Sequence, residues 1–142
     1  MRRSLLAIVF STLAVGGMTL AQHGGHGKAE VKTLSQKEIT EKLDGKKTKA
    51  TMVEVTLGPG ESDAPHRHPG PGFGYVLEGE YEWAIDDQPV KKLKAGDTFY
   101  EPTACLHRVS KNPSNEGKTR ILAMVLHSAD VKDIVIPEKE KK

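Results

Sequence analysis

Residues 66–80 read "HRHPGPGFGYVLEGE", and this stretch decides how the rest of the chain is understood. His66 and His68 are one residue apart. Side chains on an extended strand alternate between faces, so positions i and i+2 share one face. Two imidazoles held side by side have the geometry to grip one metal ion. No carboxylate follows closely to extend the set. After the glycines the chain continues as "FGYVLEGEYEWAI", which predicts two strands joined at Glu78-Gly79. In the second of them Tyr81, Trp83 and Ile85 fall on one face, and Glu80 and Glu82 on the other.

The same grammar extends in both directions. "TKATMVEVTL" alternates in its middle before "GPGE" breaks it. "VKKLKAGD" predicts a short strand and a turn, and "TFYEP" a strand stopped by proline. "LHRVSKN" and "TRILAMVLH" supply two more strands, separated by "NPSNEGK". Many short strands punctuated by Gly and Pro predict an all-β sandwich or barrel. The exception is "LSQKEITEKLDG", residues 34–45. Ser35 and Glu38 form a capping-box pattern and Gly45 offers a stop, so one short N-terminal helix is expected there.

The first segment, "MRRSLLAIVFSTLAVGGMTLA", has two arginines, an apolar run and a small-residue ending. It reads as an export signal over residues 1–21, cleaved after Ala21 to leave a periplasmic or secreted protein without a membrane anchor. Residues 22–47 are then a flexible leader plus the helix, 48–130 the β-domain, and 131–142 a strand end with the charged tail "PEKEKK". Of 142 residues, 21 are Lys or Arg and 19 Asp or Glu. Without Arg2 and Arg3 the two signs balance, so no basic face for nucleic acid is expected. One cysteine, Cys105, excludes an internal disulfide, and stability must come from a packed core. His23 and His26 form an HxxH in the glycine-rich leader, a weak metal signal in what reads as a solvated linker.

Two motifs give the chain a family likeness. Gly60, five residues, His66-Arg67-His68 and Gly79 follow one spacing; Gly96, five residues, Pro102 and His107 follow a second. Together they resemble the two motifs of the cupin superfamily, and the likeness covers roughly residues 48–127. The resemblance implies a small jelly-roll-like β-barrel in which His66, His68 and His107 meet and hold a divalent transition metal (Fe, Mn, Ni, Cu or Zn). It also implies a small-molecule ligand or substrate, and a homodimer. The departures are specific. Gly72 stands where the family carries a glutamate ligand, Ala104 replaces a motif glycine, and Lys111 occupies the position of a motif asparagine, with Asn112 one residue late.

Three neutral imidazoles leave a divalent ion its full charge, which favours small anionic ligands and acidifies a bound water. Gly72 and Gly74, facing inward, are expected to open room beside the metal. Tyr81, Trp83 and Tyr100 are further candidates for lining that pocket, as is Cys105, two residues before His107; each also reads as ordinary core. His127 is expected at the surface. The functional expectation is a metal-dependent oxygenase or isomerase acting on a small anionic molecule. The alternatives are a binding module without turnover and a metal-free remnant of an enzyme, since the fold hosts all of these.

Overall fold

The computed structural model of the chain describes residues 29–43 and 45–138. The export signal and the His23/His26 pair therefore lie outside the described residues. Ten strands follow in chain order: β1 (Glu30–Leu43), β2 (Lys46–Leu57), β3 (His66–Arg67), β4 (Gly72–Glu78), β5 (Glu80–Ile85), β6 (Lys91–Lys94), β7 (Thr98–Glu101), β8 (Leu106–Lys111), β9 (Thr119–Ser128) and β10 (Ile136–Pro137). They form two antiparallel five-stranded sheets, in the orders β1-β2-β9-β4-β7 and β10-β3-β8-β5-β6. Leu57, Val76, Tyr81, Trp83, Ile85, Cys105 and Ile121 form the buried core between them. The architecture is the all-β one expected.

One expectation is corrected. The helix foreseen over residues 34–45 is instead most of β1, paired along its length with β2 from Glu30↔Thr56 to Leu43↔Lys46. An isolated helix of this length is marginal in water, whereas each residue added to a ladder gains partners on an existing sheet. The capping-box residues lose to that tertiary contact. Strands β4 and β5 meet at Gly79, as expected, and there the chain crosses from one sheet to the other. β4 pairs with β7 and β9 in one sheet, and β5 with β6 and β8 in the other. Gly79 makes the crossing with φ at 80°. A Cβ there would lie 2.5 Å from the Lys118 carbonyl oxygen, so only glycine fits.

The substituted motif positions are explained by register. Ala84 pairs with Val109 but Ile85 pairs with His107, so β8 carries one extra residue at Arg108. The bulge makes His107, Ser110 and Asn112 the buried positions and leaves Lys111 exposed. Asn112 arrives one residue late and still faces inward. Its amide donates to the carbonyls of Gly58 and Gly117, and its Oδ1 accepts from the Ser114 amide. Ala104 takes the left-handed conformation of the glycine it replaces, with φ at 61°.

Candidate metal centre

The short β3 pairs with β8 so that His66 stands directly opposite His107. His68 follows just beyond the end of β3. The ring centroids of His66 lie 4.9 Å from those of both His68 and His107. One ligand nitrogen from each histidine falls within 4.8 Å of the others. Among the described residues, this is the one group of three or more potential metal-ligating side chains.

Hydrogen bonds fix which nitrogen each ring turns inward. His66 Nδ1 donates to the Ala64 carbonyl at 2.9 Å, and His68 Nδ1 to the Ile134 carbonyl at 2.6 Å. A carbonyl only accepts, so both Nε2 atoms keep a lone pair for the centre when the rings are neutral. The Tyr81 hydroxyl donates its proton to Ser110 Oγ at 2.9 Å. Its oxygen then accepts from His107 Nε2, 3.2 Å away, which leaves the lone pair of this ring on Nδ1. That Nδ1 is buried and makes no hydrogen bond. Outer N–H groups anchored and inner lone pairs converging is the arrangement that orients histidines on a metal. The residues therefore fit a transition metal.

Sequence reading missed a fourth side chain. Glu101, at the end of β7, is 2% exposed. Its Oε2 lies 3.2 Å from His68 Nε2, and its Oε1 lies 3.1 Å from His107 Nδ1. Trp83 Nε1 donates to Oε1 at 3.0 Å. Burial works to raise the Glu101 carboxyl, but the hydrogen bond with His68 and the other polar contacts outweigh it and hold it well below the usual carboxylate range. Burial works to lower His68, and its bonds to Glu101 and the Ile134 carbonyl more than reverse this. Burial pushes His107 down to about 4, only partly offset by Glu101. The centre thus sets an ionised Glu101 beside a neutral His107. The signal that could have found Glu101 is alternation along "TFYE". Thr98 and Tyr100 point out, so Phe99 and Glu101 point in.

The other candidates divide. Gly72 lines the cavity beside the histidines, and so does Tyr81, whose phenol burial pushes far above its ordinary range. Gly74 faces inward but opens no room: a Cβ there would lie 2.0 Å from the Phe99 ring, which already fills the space. Trp83 acts on the centre through its bond to Glu101 and otherwise packs in the core. Tyr100 is half exposed and stacks on Phe73 at 5.2 Å on the outer face, away from the histidines. Cys105 is a core residue, and burial raises its thiol to about 11. His127 is buried rather than at the surface, bonded to Thr51 Oγ1 and the Ser128 carbonyl, because it falls on the inward positions of β9.

The cavity at the centre amounts to about 70 Å³. His66, His68, His107 and Glu101, with Asp63 and Ser110, contribute its polar lining, and Val53, Val55, Ile121 and Val125 of the opposite sheet an apolar wall.

A two-sheet β-barrel with a histidine triad on its inner face defines a class of small β proteins built around one inward-facing site. The chain matches the family model described as a cupin domain over residues 53–125, and it belongs to that family. Three solved structures illustrate the shared fold. A protein with a double-stranded beta-helix domain from Klebsiella pneumoniae subsp. pneumoniae MGH 78578 is 20% identical, with 81% of this chain and 89% of that one covered and a TM-score of 0.59. The DMSP lyase DddQ from Ruegeria pomeroyi DSS-3 is 20% identical, covering 80% and 54%, with a TM-score of 0.56. An oxalate oxidase in complex with the substrate analogue glycolate is 24% identical, covering 56% and 42%, with a TM-score of 0.50. This chain spans about half the length of those two enzymes. None of the curated proteins compared matches the sequence.

Proposed function

We propose that this protein is an exported metal-dependent enzyme, of oxygenase or isomerase type, that acts on a small anionic molecule at a centre held by His66, His68 and His107. One observation carries the reading: the buried rings of His66 and His107 and the half-buried ring of His68 have their outer nitrogens committed to Ala64, Ile134 and Tyr81, and one ligand nitrogen of each lies within 4.8 Å of the others. Iron, manganese, nickel, copper and zinc all suit such a donor set. When bound, the metal orients the ligand and stabilises negative charge that develops on it.

The chain's own residues supply the rest. Ala64 and Ile134 lock two imidazoles through backbone carbonyls, so a ligand meets a preformed site. The valine and isoleucine wall gives the cavity an apolar side, and its small volume favours a small occupant. A cationic centre facing that wall selects an anion. The oxalate oxidase structure with glycolate and the DMSP lyase show that relatives in fold handle small molecules of this kind.

A non-catalytic binding module is the second reading, and one observation favours it. Tyr81 is held protonated, and Glu101 is engaged by Trp83 and two histidines, so neither is poised as a general base. Metal-loaded protein offered a panel of small carboxylates, with oxygen uptake, product and thermal stability followed together, decides between them. Product with loss in His107→Ala supports the enzyme. Stabilisation of the fold without product makes it a binding module.

Export is part of the same proposal, supported by the arginine, apolar and small-residue pattern of residues 1–21. A homodimer is proposed as well, supported by the exposed aromatics Phe73, Tyr75 and Tyr100 on the outer face of one sheet.

A further inference from the structure

We infer that Glu101 is a fourth ligand of the metal, a carboxylate delivered from β7. The inference rests on the metal-centre reading above and adds an anionic oxygen donor to it.

The argument is one of unmatched acceptors. His107 Nδ1 carries a lone pair, because the proton of that ring is committed to the Tyr81 oxygen. It faces Glu101 Oε1 at 3.1 Å with no hydrogen bond between them. Two acceptors that close in a buried site repel unless a cation lies against both. His68 Nε2 and Glu101 Oε2 lie 3.2 Å apart; with the Nδ1 proton of a neutral His68 committed to Ile134, this pair repeats the arrangement, and a proton or a metal ion must lie between the two atoms. The carboxylate thus spans two of the three converging imidazoles, one oxygen towards each. A surface counter-ion would not be built this way. Glu101 is 2% exposed, and a core tryptophan holds it in place by an N–H bond.

The β4–β7 ladder accounts for the space that Glu101 uses. Gly72 stands directly across from Glu101. A Cβ on Gly72 would sit 3.5 Å from Glu101 Cβ, 3.7 Å from its Oε2 and 4.0 Å from His68 Cδ2. Those are ordinary contact distances, so position 72 admits a side chain and would aim it at the same point. The absence of a side chain at 72 and the inward carboxylate at 101 fit together, and the centre has one carboxylate from one of two adjacent strands. The consequence is electrostatic. With one carboxylate and three neutral imidazoles, a divalent ion leaves a net charge of +1 rather than +2, which moderates its pull on an anionic ligand.

The test is a cobalt(II) titration of the whole mature chain, followed by visible d–d absorption, for wild type, Glu101→Gln, His66→Ala and the double variant Gly72→Glu/Glu101→Gln. Loss of a single orienting partner around a metal costs about 10–100-fold in affinity. Loss of a direct ligand is expected to weaken Glu101→Gln by at least about 100-fold and to change the band intensity, because the coordination number changes. Unchanged affinity and spectrum in Glu101→Gln, with His66→Ala abolished, overturns the fourth ligand while leaving the three-histidine centre standing. No cobalt bound by wild type, or equal binding by His66→Ala, overturns the centre itself and the inference with it. Should Glu101→Gln fail to fold, the double variant carries the test. Cobalt bound within about tenfold of wild type supports a carboxylate ligand at this point, and a folded double variant that binds none overturns it.

Discussion

Ala104 carries a φ of 61° where an L side chain is strained, and its carbonyl accepts from Arg67 while its amide donates to the His68 carbonyl. The turn that holds it also holds β3 in place. A non-glycine residue in this region costs about 1–2 kcal/mol, and glycine's looser unfolded chain returns about 0.4–1 kcal/mol of that. Ala104→Gly is therefore expected to stabilise by about 0.5–1 kcal/mol. Thermal unfolding of the metal-free variant should show a rise of a few degrees in Tm. An unchanged or lower Tm would mean that residue 104 is not held left-handed. Residue by residue, the histidines were legible because their spacing is local: i and i+2 on one strand, and a second motif at its own fixed interval. Glu101 was not, because its role comes from which strand lies beside β4. His127 was misplaced for a similar reason, as its partner Thr51 is 76 residues away in sequence.

At the scale of the element, the unexpected contributor is the C-terminal segment. There β10 pairs with β3, Ile136 against Arg67 and Pro137 against His66. The Ile134 carbonyl fixes the His68 ring, and Glu138 pairs with Arg67 at 2.9 Å. A two-residue strand such as β3 cannot hold His66 and the adjoining His68 rigid by itself; β8 supports it on one side and β10 on the other. Truncation after Asp133 removes the orienting carbonyl and one flank, and should weaken metal binding by about 10–100-fold with the fold retained. Equal affinities of the truncated and full chains in a chelator competition would show that β3 orients the ligands without β10. The β1 segment shows where local signals run out. Its capping box and charged residues favour a helix in isolation, and the ladder with β2 overrides them. The strands from β4 to β9 were legible because alternation and glycine or proline stops agree at every boundary.

Across the described residues, two sheets close over a core of Leu57, Val76, Tyr81, Trp83, Ile85 and Ile121 and leave a small cavity at the histidines. The glycines of β4 were expected to enlarge it. Instead Phe99 covers Gly74, and Glu101 stands opposite Gly72, so the site is compact and specified by side chains from both sheets. The room beside a metal is for a ligand of a few atoms. Everything functional in this account depends on that metal being present. The direct measurement is metal content by elemental mass spectrometry on untagged protein, with His66→Ala and His107→Ala alongside. The account predicts close to one transition-metal ion per chain in the wild type and loss of it in both variants. Folded wild type that holds no metal after incubation with iron, manganese, nickel, copper and zinc, or variants that retain as much as the wild type, would contradict it.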